Sequence, residues 1–91
     1  MILAWTVKYT DSARKQLKKL DRQLAIRILD FMDERVLVGS NPRAIGKSLT
    51  GPKLGSYWRY RVGDHRIICD IQDGQLCVLV IEIGDRKEIY R

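Results

Sequence analysis

Hydrophobic residues recur at helical spacing in the first third of the chain. Thr10 or Asp11 precedes a first series and Asp21 precedes a second. Side chains of these types accept a hydrogen bond from the free N–H groups of a helix's first turn, so they are suited to begin helices. The spacing predicts a hairpin of two helices, with buried stripes of Ala13, Leu17 and Leu20 and then of Leu24, Ile28, Phe31 or Met32, and Val36.

Between Tyr57 and Ile71 the pattern changes to an alternation of hydrophobic and polar residues, interrupted at Gly63-Asp64. Alternation is typical of strands with one buried face, and a Gly-Asp pair is suited to a tight turn. We therefore predict a β-hairpin in which Val62 faces His65. Side chains alternate between the two faces of a strand, so one face collects Trp58, Tyr60, Val62, Ile67, Cys69 and Ile71.

The other face of this hairpin carries three arginines, Arg59, Arg61 and Arg66. Arg61 and Arg66 face each other in the predicted register, and like charges at opposed positions destabilise a sheet. With the guanidinium groups about 5 Å apart, the repulsion lies between about 1 kcal/mol in water and about 3 kcal/mol at a protein surface. An anion between them removes this cost, and the planar guanidinium fits phosphate well. The pattern favours a phosphate-binding face, and solvated arginines that splay apart are the alternative.

Two further runs complete the predicted sheet. Residues 2–8 indicate an opening strand, and the nearly unbroken apolar run from Gln75 to Ile83 indicates a strand covered on both faces. If Asp73-Gly74 is a two-residue turn, Arg66 faces Ile81, and the arginines have an aliphatic floor of Ile68, Leu79 and Ile81. We predict one α+β domain over residues 1–91, with the helical hairpin packed on a curved, mainly antiparallel four-stranded sheet.

The segment from Gly39 to Gly55 lacks periodicity and is long for a loop in a compact domain, which is typical of functional loops. Its cations, Arg43, Lys47 and Lys53, are free in this interpretation to reach an anion and are candidate RNA-binding residues. Gly46-Lys47-Ser48 resembles the end of a phosphate-binding P-loop, but the first glycine of that motif would fall at Asn41. The loop therefore does not predict nucleotide hydrolysis.

The composition limits the kinds of molecule that this protein is expected to bind. Lys and Arg number 17 against 11 Asp and Glu, a formal charge of +6, which favours a polyanion such as nucleic acid or an acidic protein. No apolar run approaches a membrane span, so we expect a cytoplasmic protein without membrane contact. Cys69 and Cys77 are predicted to point to opposite faces of the sheet, which excludes a disulfide between them. The sequence has one histidine and lacks the Cys/His spacing typical of zinc sites. We therefore predict neither a metal site nor a cofactor.

Several motifs together resemble a known family. They are Asn41-Pro42, Gly46-Lys47-x-Leu49-x-Gly51, Trp58-Arg59-Tyr60-Arg61-Val62-Gly63-Asp64-x-Arg66-Ile67 and Arg86-x-x-x-Tyr90. With the predicted order of elements, they resemble the RelE side of the RelE/ParE toxin superfamily of bacterial toxin–antitoxin modules. The resemblance implies a ribosome-dependent endoribonuclease that cuts messenger RNA in the ribosomal A site. It also implies an antitoxin that holds the enzyme inactive.

The resemblance also implies roles for particular residues. Arg59 and Arg61 fall where RelE-type toxins place basic strand residues near the scissile phosphate, and Arg66, Arg86 and Tyr90 match the remaining catalytic positions. RNA can be cleaved without metal by attack of its own 2′-OH, which requires a base and charge stabilisation. No carboxylate is expected within the arginine cluster. Our hypothesis makes Tyr90 the base or the group that orients the hydroxyl.

Two other functions stay open, although Arg66, Arg86 and Tyr90 argue against the first of them. ParE-type members of the superfamily poison DNA gyrase and are not nucleases. A non-catalytic nucleic-acid-binding domain would use Tyr57, Trp58 and Tyr60 as stacking platforms, although Trp58 and Tyr60 are predicted on the core face.

Overall fold

The chain folds into two helices on one face of a mixed sheet. The computed structural model describes residues 5–37, 42–43, 46–49 and 57–85. In chain order the elements are strand β1 (Thr6–Tyr9), helices α1 (Asp11–Lys19) and α2 (Arg22–Phe31), a π-helical continuation (Met32–Leu37), and strands β2 (Lys47–Ser48), β3 (Tyr57–Val62), β4 (His65–Gln72) and β5 (Cys77–Asp85). The predicted α+β class is confirmed.

The sheet has five strands in the order β1-β5-β4-β3-β2, where four were predicted. The additional strand is β2, which has two residues and is too short for alternation to show in the sequence. Strand β1 runs parallel to β5, and the other pairs are antiparallel. The helical hairpin covers one face, and the core between the layers contains Ala13, Ile28, Met32, Tyr60, Val62, Ile67, Cys69, Val78, Val80 and Ile83.

Both helices begin at the predicted capping residues. The Thr10 hydroxyl accepts a hydrogen bond from the N–H of Ala13 at 3.1 Å, and the Asp21 carboxylate accepts one from the N–H of Gln23 at 3.1 Å. Neither helix in the described parts of the chain is long and apolar enough to cross a membrane.

The β3–β4 hairpin has the predicted register. Val62 faces His65 and Arg61 faces Arg66, across a turn in which Gly63 adopts a φ of +59°. That left-handed conformation costs glycine little, because it has no Cβ. The division of the hairpin into an apolar and a basic face is therefore confirmed.

The predicted β4–β5 register is wrong. A 3₁₀ turn at Asp73–Gln75, followed by Leu76 in a left-handed conformation, makes the connection longer than a two-residue turn. Gln72 consequently pairs with Cys77. Cys69 and Cys77 are both buried, and the predicted absence of a disulfide between them is confirmed.

A β-bulge in β5 displaces the register further. Ile68 faces Glu82 while the next residue, Cys69, faces Val80, so Ile81 is an extra residue in the ladder. Arg66 therefore faces Gly84 rather than Ile81. The aliphatic floor predicted from Leu79 and Ile81 does not form as expected, since a glycine and a glutamate occupy the positions across from Arg66 and Ile68.

Side chains of the first helix and of its capping residue complete the hydrogen bonding of β5 around this bulge. Pairing with β1 ends at Val80, whose carbonyl accepts a hydrogen bond from the N–H of Thr10 at 3.0 Å. The Thr10 hydroxyl then donates to the Ile81 carbonyl at 2.9 Å, and the Gln16 side-chain oxygen accepts from the N–H of Ile83 at 2.6 Å. Backbone groups that would otherwise be left without a partner at the end of the parallel ladder are thereby satisfied.

We expect Gln16→Leu to lower the free energy of unfolding by about 1–3 kcal/mol, because the partly buried N–H of Ile83 loses its acceptor. Urea denaturation with an unchanged m-value measures this loss. Gln23→Leu, at an exposed position of α2, is the matched control and should change stability by less than about 0.5 kcal/mol. Equal losses in the two variants would contradict a specific role for the Gln16 bond.

Candidate nucleic-acid interface

The face of the sheet opposite the helices is basic in the half near the β3–β4 turn. Arg61 lies directly across from Arg66, and Lys47 lies directly across from Arg59. All four point to the same face, because the register places them at positions opposite in parity to the buried residues Tyr60 and Ile67. Two pairs of like charges therefore meet on neighbouring strands. We call Lys47, Arg59, Arg61 and Arg66 the basic face.

The four cations differ in their access to water. Arg61 and Lys47 are exposed and Arg59 is half-buried. Arg66, by contrast, is buried, with only 4% of its surface exposed. A solvated arginine that splays into water does not match this burial. Less water screens a buried charge, so its field on a nearby anion is stronger than that of a surface arginine.

Lys47 owes its position to a close contact between two segments. The Tyr60 hydroxyl is buried and donates a hydrogen bond to the carbonyl of Pro42 at 2.5 Å, and the Tyr60 ring packs against Phe31 with centroids 5.9 Å apart. Burial raises the pKa of Tyr60, which keeps the hydroxyl protonated and able to donate. Gly46 lies against the same ring. This contact fixes β2 beside β3 and sets Lys47 across from Arg59.

Arg43 forms an ion pair with a carboxylate of the same chain. Its guanidinium donates to both carboxylate oxygens of Asp73, at 2.8 and 2.7 Å, and lies over the Trp58 ring at 5.7 Å from the centroid. Hydrogen bonding to Arg43 holds the pKa of Asp73 below its usual value. Asp73 follows β4 at the end away from Arg66, a separation of roughly 20 Å along the strand. The structure does not bring Arg43 to the basic face, and RNA binding by Arg43 stays a prediction.

Three of the predicted site residues, Lys53, Arg86 and Tyr90, lie outside the described residues. Their roles stay predictions. The described part of the site consists of Arg59, Arg61, Arg66 and Lys47.

Sequence reasoning missed one charged residue beside the basic face. Glu82 faces Ile68, which in turn faces Arg59, so the three form a row across β5, β4 and β3. The side chain of Glu82 is exposed. Its position follows from the bulge at Ile81, and no turn residue or change of alternation in the sequence signals that bulge. Glu82 thus lies beside the predicted arginine cluster, where the sequence leads us to expect no carboxylate within the cluster itself.

Comparison with known proteins agrees with this architecture. Residues 7–90 match the family described as the ParE toxin of the type II toxin–antitoxin system parDE. The chain is also 32% identical over 85 residues to Toxin RelE of Mycobacterium tuberculosis, covering 93% of this chain and 84% of that protein. The chain is a RelE-type toxin of the RelE/ParE superfamily.

Other relatives of this RelE-type toxin match it over nearly its whole length. Toxin RelG of Mycobacterium tuberculosis is 27% identical over 89 residues, which cover 98% of this chain and 99% of that protein. The fold resembles that in the crystal structure of the toxin–antitoxin complex RelBE2 from the same organism, with a TM-score of 0.82 and 24% identity over 94% of this chain and 95% of that chain. Both matches therefore extend over nearly the whole chain, and the second shows a shared fold.

We expect Gly46→Ala to destabilise the toxin by about 1–3 kcal/mol, as is usual for an overpacked contact. A Cβ at this position would lie 2.8 Å from Cε1 of Tyr60 and 2.9 Å from the carbonyl oxygen of Arg59. Gly74→Ala is the control, because a Cβ there meets nothing within 4 Å. Thermal unfolding measures both variants, and a Gly46→Ala protein as stable as Gly74→Ala would contradict the close approach of β2 to Tyr60.

Proposed function

We propose that this toxin is a ribosome-dependent, metal-independent endoribonuclease that cuts messenger RNA in the ribosomal A site and so inhibits translation. The observation that carries the proposal is the pairing of like charges on the basic face, Arg61 with Arg66 and Lys47 with Arg59. The names of its relatives, RelE and RelG, support the RelE-type activity over other activities of the superfamily.

Repulsion on the basic face favours a polyanionic ligand. Like charges at directly opposed positions of neighbouring strands repel each other. A phosphodiester bound between the strands converts this repulsion into attraction, and arginine donates two parallel hydrogen bonds to phosphate oxygens. Contacts of this kind hold an RNA backbone without reading its sequence. The basic face is therefore suited to position a phosphate of the RNA backbone.

The same charges suit the chemistry of RNA cleavage. Attack of a 2′-OH on the adjacent phosphate develops additional negative charge on the phosphorane oxygens, and fixed cations stabilise that charge. Arg59 and Arg61 contact the scissile phosphate in this proposal, while Arg66 and Arg86 stabilise the developing charge. Arg66 is pre-organised for this role by its burial. Tyr90 is proposed as the base or the group that orients the attacking hydroxyl.

A cognate antitoxin is the second proposed partner, beside the ribosome with its rRNA and A-site message. The chain belongs to a family of type II toxin–antitoxin systems, and the similar structure from Mycobacterium tuberculosis is a toxin–antitoxin complex. The formal charge of +6 favours an acidic antitoxin. Such a partner neutralises the toxin if it covers the basic face.

Primer extension on a defined message in a purified translation system tests the enzymatic proposal. We expect discrete cuts within codons that require ribosomes. Arg66→Ala should slow cleavage by about 100-fold or more, the usual cost of removing one stabilising donor for a developing oxyanion. Arg61→Ala, which removes an exposed side chain without opening the core, should weaken cleavage as well. Arg27→Ala, at an exposed position of α2 on the other side of the sheet, should cut like the wild type.

An intact message alongside arrested growth would contradict the nuclease. Inhibition of gyrase supercoiling would then support the ParE-type function, which the name of the matching family makes the second candidate. Nucleic-acid binding with neither activity would support a non-catalytic domain.

A further inference from the structure

The β-bulge places a carboxylate at the basic face. Residues 80 and 82 of a regular strand point to the same side, and Val80 is fully buried in the core beneath the helices. If the strand continued without a bulge, Glu82 would therefore also point into that core. With Ile81 inserted, Glu82 instead faces Ile68 on the helix-free side, while Ile83, 2% exposed, takes the core position. The bulge thus exchanges the sides on which Glu82 and Ile83 lie.

The surrounding hydrogen bonds hold this arrangement in place. The carbonyl of the bulged residue, Ile81, accepts from Thr10, and the N–H of Ile83 donates to Gln16. Glu82 therefore lies between two backbone anchors. A bulge whose polar groups are satisfied by side chains of another element is a stable feature of the fold, and bulges are often used to re-aim a side chain.

Glu82 lies within reach of a phosphate held by the basic face. Arg66 is diagonal to it on the neighbouring strand, and diagonal residues lie about 7–8 Å apart. Arg59 is in the same row two strands away, a separation of roughly 10 Å between Cα atoms. A ribose and its phosphate fit between Glu82 and Arg59, over Ile68. The carboxylate is exposed, and it is thus available to a hydroxyl group of a bound nucleotide.

We propose that Glu82 is the general base of the cleavage reaction, an inference that rests on the proposed endoribonuclease function. The Glu82 carboxylate accepts the proton of the 2′-OH, the O2′–phosphorus bond forms, and the bond from phosphorus to O5′ breaks. The departing O5′ takes a proton from water, and Glu82 then returns its proton to the hydroxide left behind. The products are a 2′,3′-cyclic phosphate and a 5′-hydroxyl. Tyr90 then has the role of orienting the attacking hydroxyl.

The test is the single-turnover cleavage rate of Glu82→Gln on ribosomes with a defined message in the A site. Glutamine keeps the size of the side chain but does not accept the proton, so we expect cleavage to slow by about 100-fold or more. Binding to the ribosome should be unchanged or tighter, because a negative charge leaves the basic face. A carboxylate that merely balances the arginine charge predicts the opposite result, with tighter binding and cleavage at least as fast as in the wild type.

Two further variants and a modified message test whether the effect is specific to the Glu82 carboxylate and to the 2′-OH. Formate, a small carboxylate, should raise the cleavage rate of Glu82→Ala and leave that of Arg61→Ala unchanged. Asp30→Asn, which removes an exposed carboxylate from α2, should cleave at the wild-type rate. A message with a 2′-deoxy nucleotide at the cut site should resist the wild-type toxin.

The outcomes separate the two proposals. Wild-type cleavage together with equal or faster cleavage by Glu82→Gln overturns the role of Glu82 and leaves the nuclease standing. The same holds if the loss of rate in Glu82→Gln is accounted for by loss of ribosome binding. A wild-type toxin that leaves the message intact overturns both proposals.

Discussion

The structure depends on how strand β5 satisfies its backbone hydrogen bonds after β1 ends. The parallel ladder stops at Val80, yet β5 continues to Asp85 between β4 and the start of α1. An unpaired backbone group in this partly buried position would cost about 1–3 kcal/mol. Thr10 and Gln16 supply the missing partners, and Thr10 also begins the helix. A single short segment thereby fixes the helical hairpin on the sheet, and it fixes the end of β5 that borders the basic face.

The parts of the fold that follow from local pattern could be predicted. The alternation from Tyr57 to Ile71 and the turn at Gly63-Asp64 determine which side chains face each other, so the opposed arginines were predictable. The helix starts follow from single capping residues. The β4–β5 register depends on a 3₁₀ turn and on a bulge held by residues about 70 positions away in sequence. No local pattern encodes such contacts, and the predicted register was accordingly wrong.

The candidate site likewise contains residues whose positions follow from local pattern and residues whose positions do not. Arg59, Arg61 and Arg66 share a face because of strand periodicity alone. The place of Lys47 depends on the packing of Gly46 against Tyr60, and that of Glu82 depends on the bulge; both are tertiary effects. Arg43 illustrates a further difficulty. Its charge is as prominent in the sequence as that of Lys47, but a carboxylate on the β4–β5 turn binds it.

Strand β2 has a consequence for how copies of the toxin meet. An open sheet edge offers unpaired N–H and C=O groups to which another chain can add, and this is a common route to aggregation. β2 forms one edge of this sheet and is two residues long, and one of the two is a lysine. So short and charged an edge presents almost no ladder for a second copy to extend. The lysine that completes the basic face therefore also disfavours the pairing of a second copy with this edge.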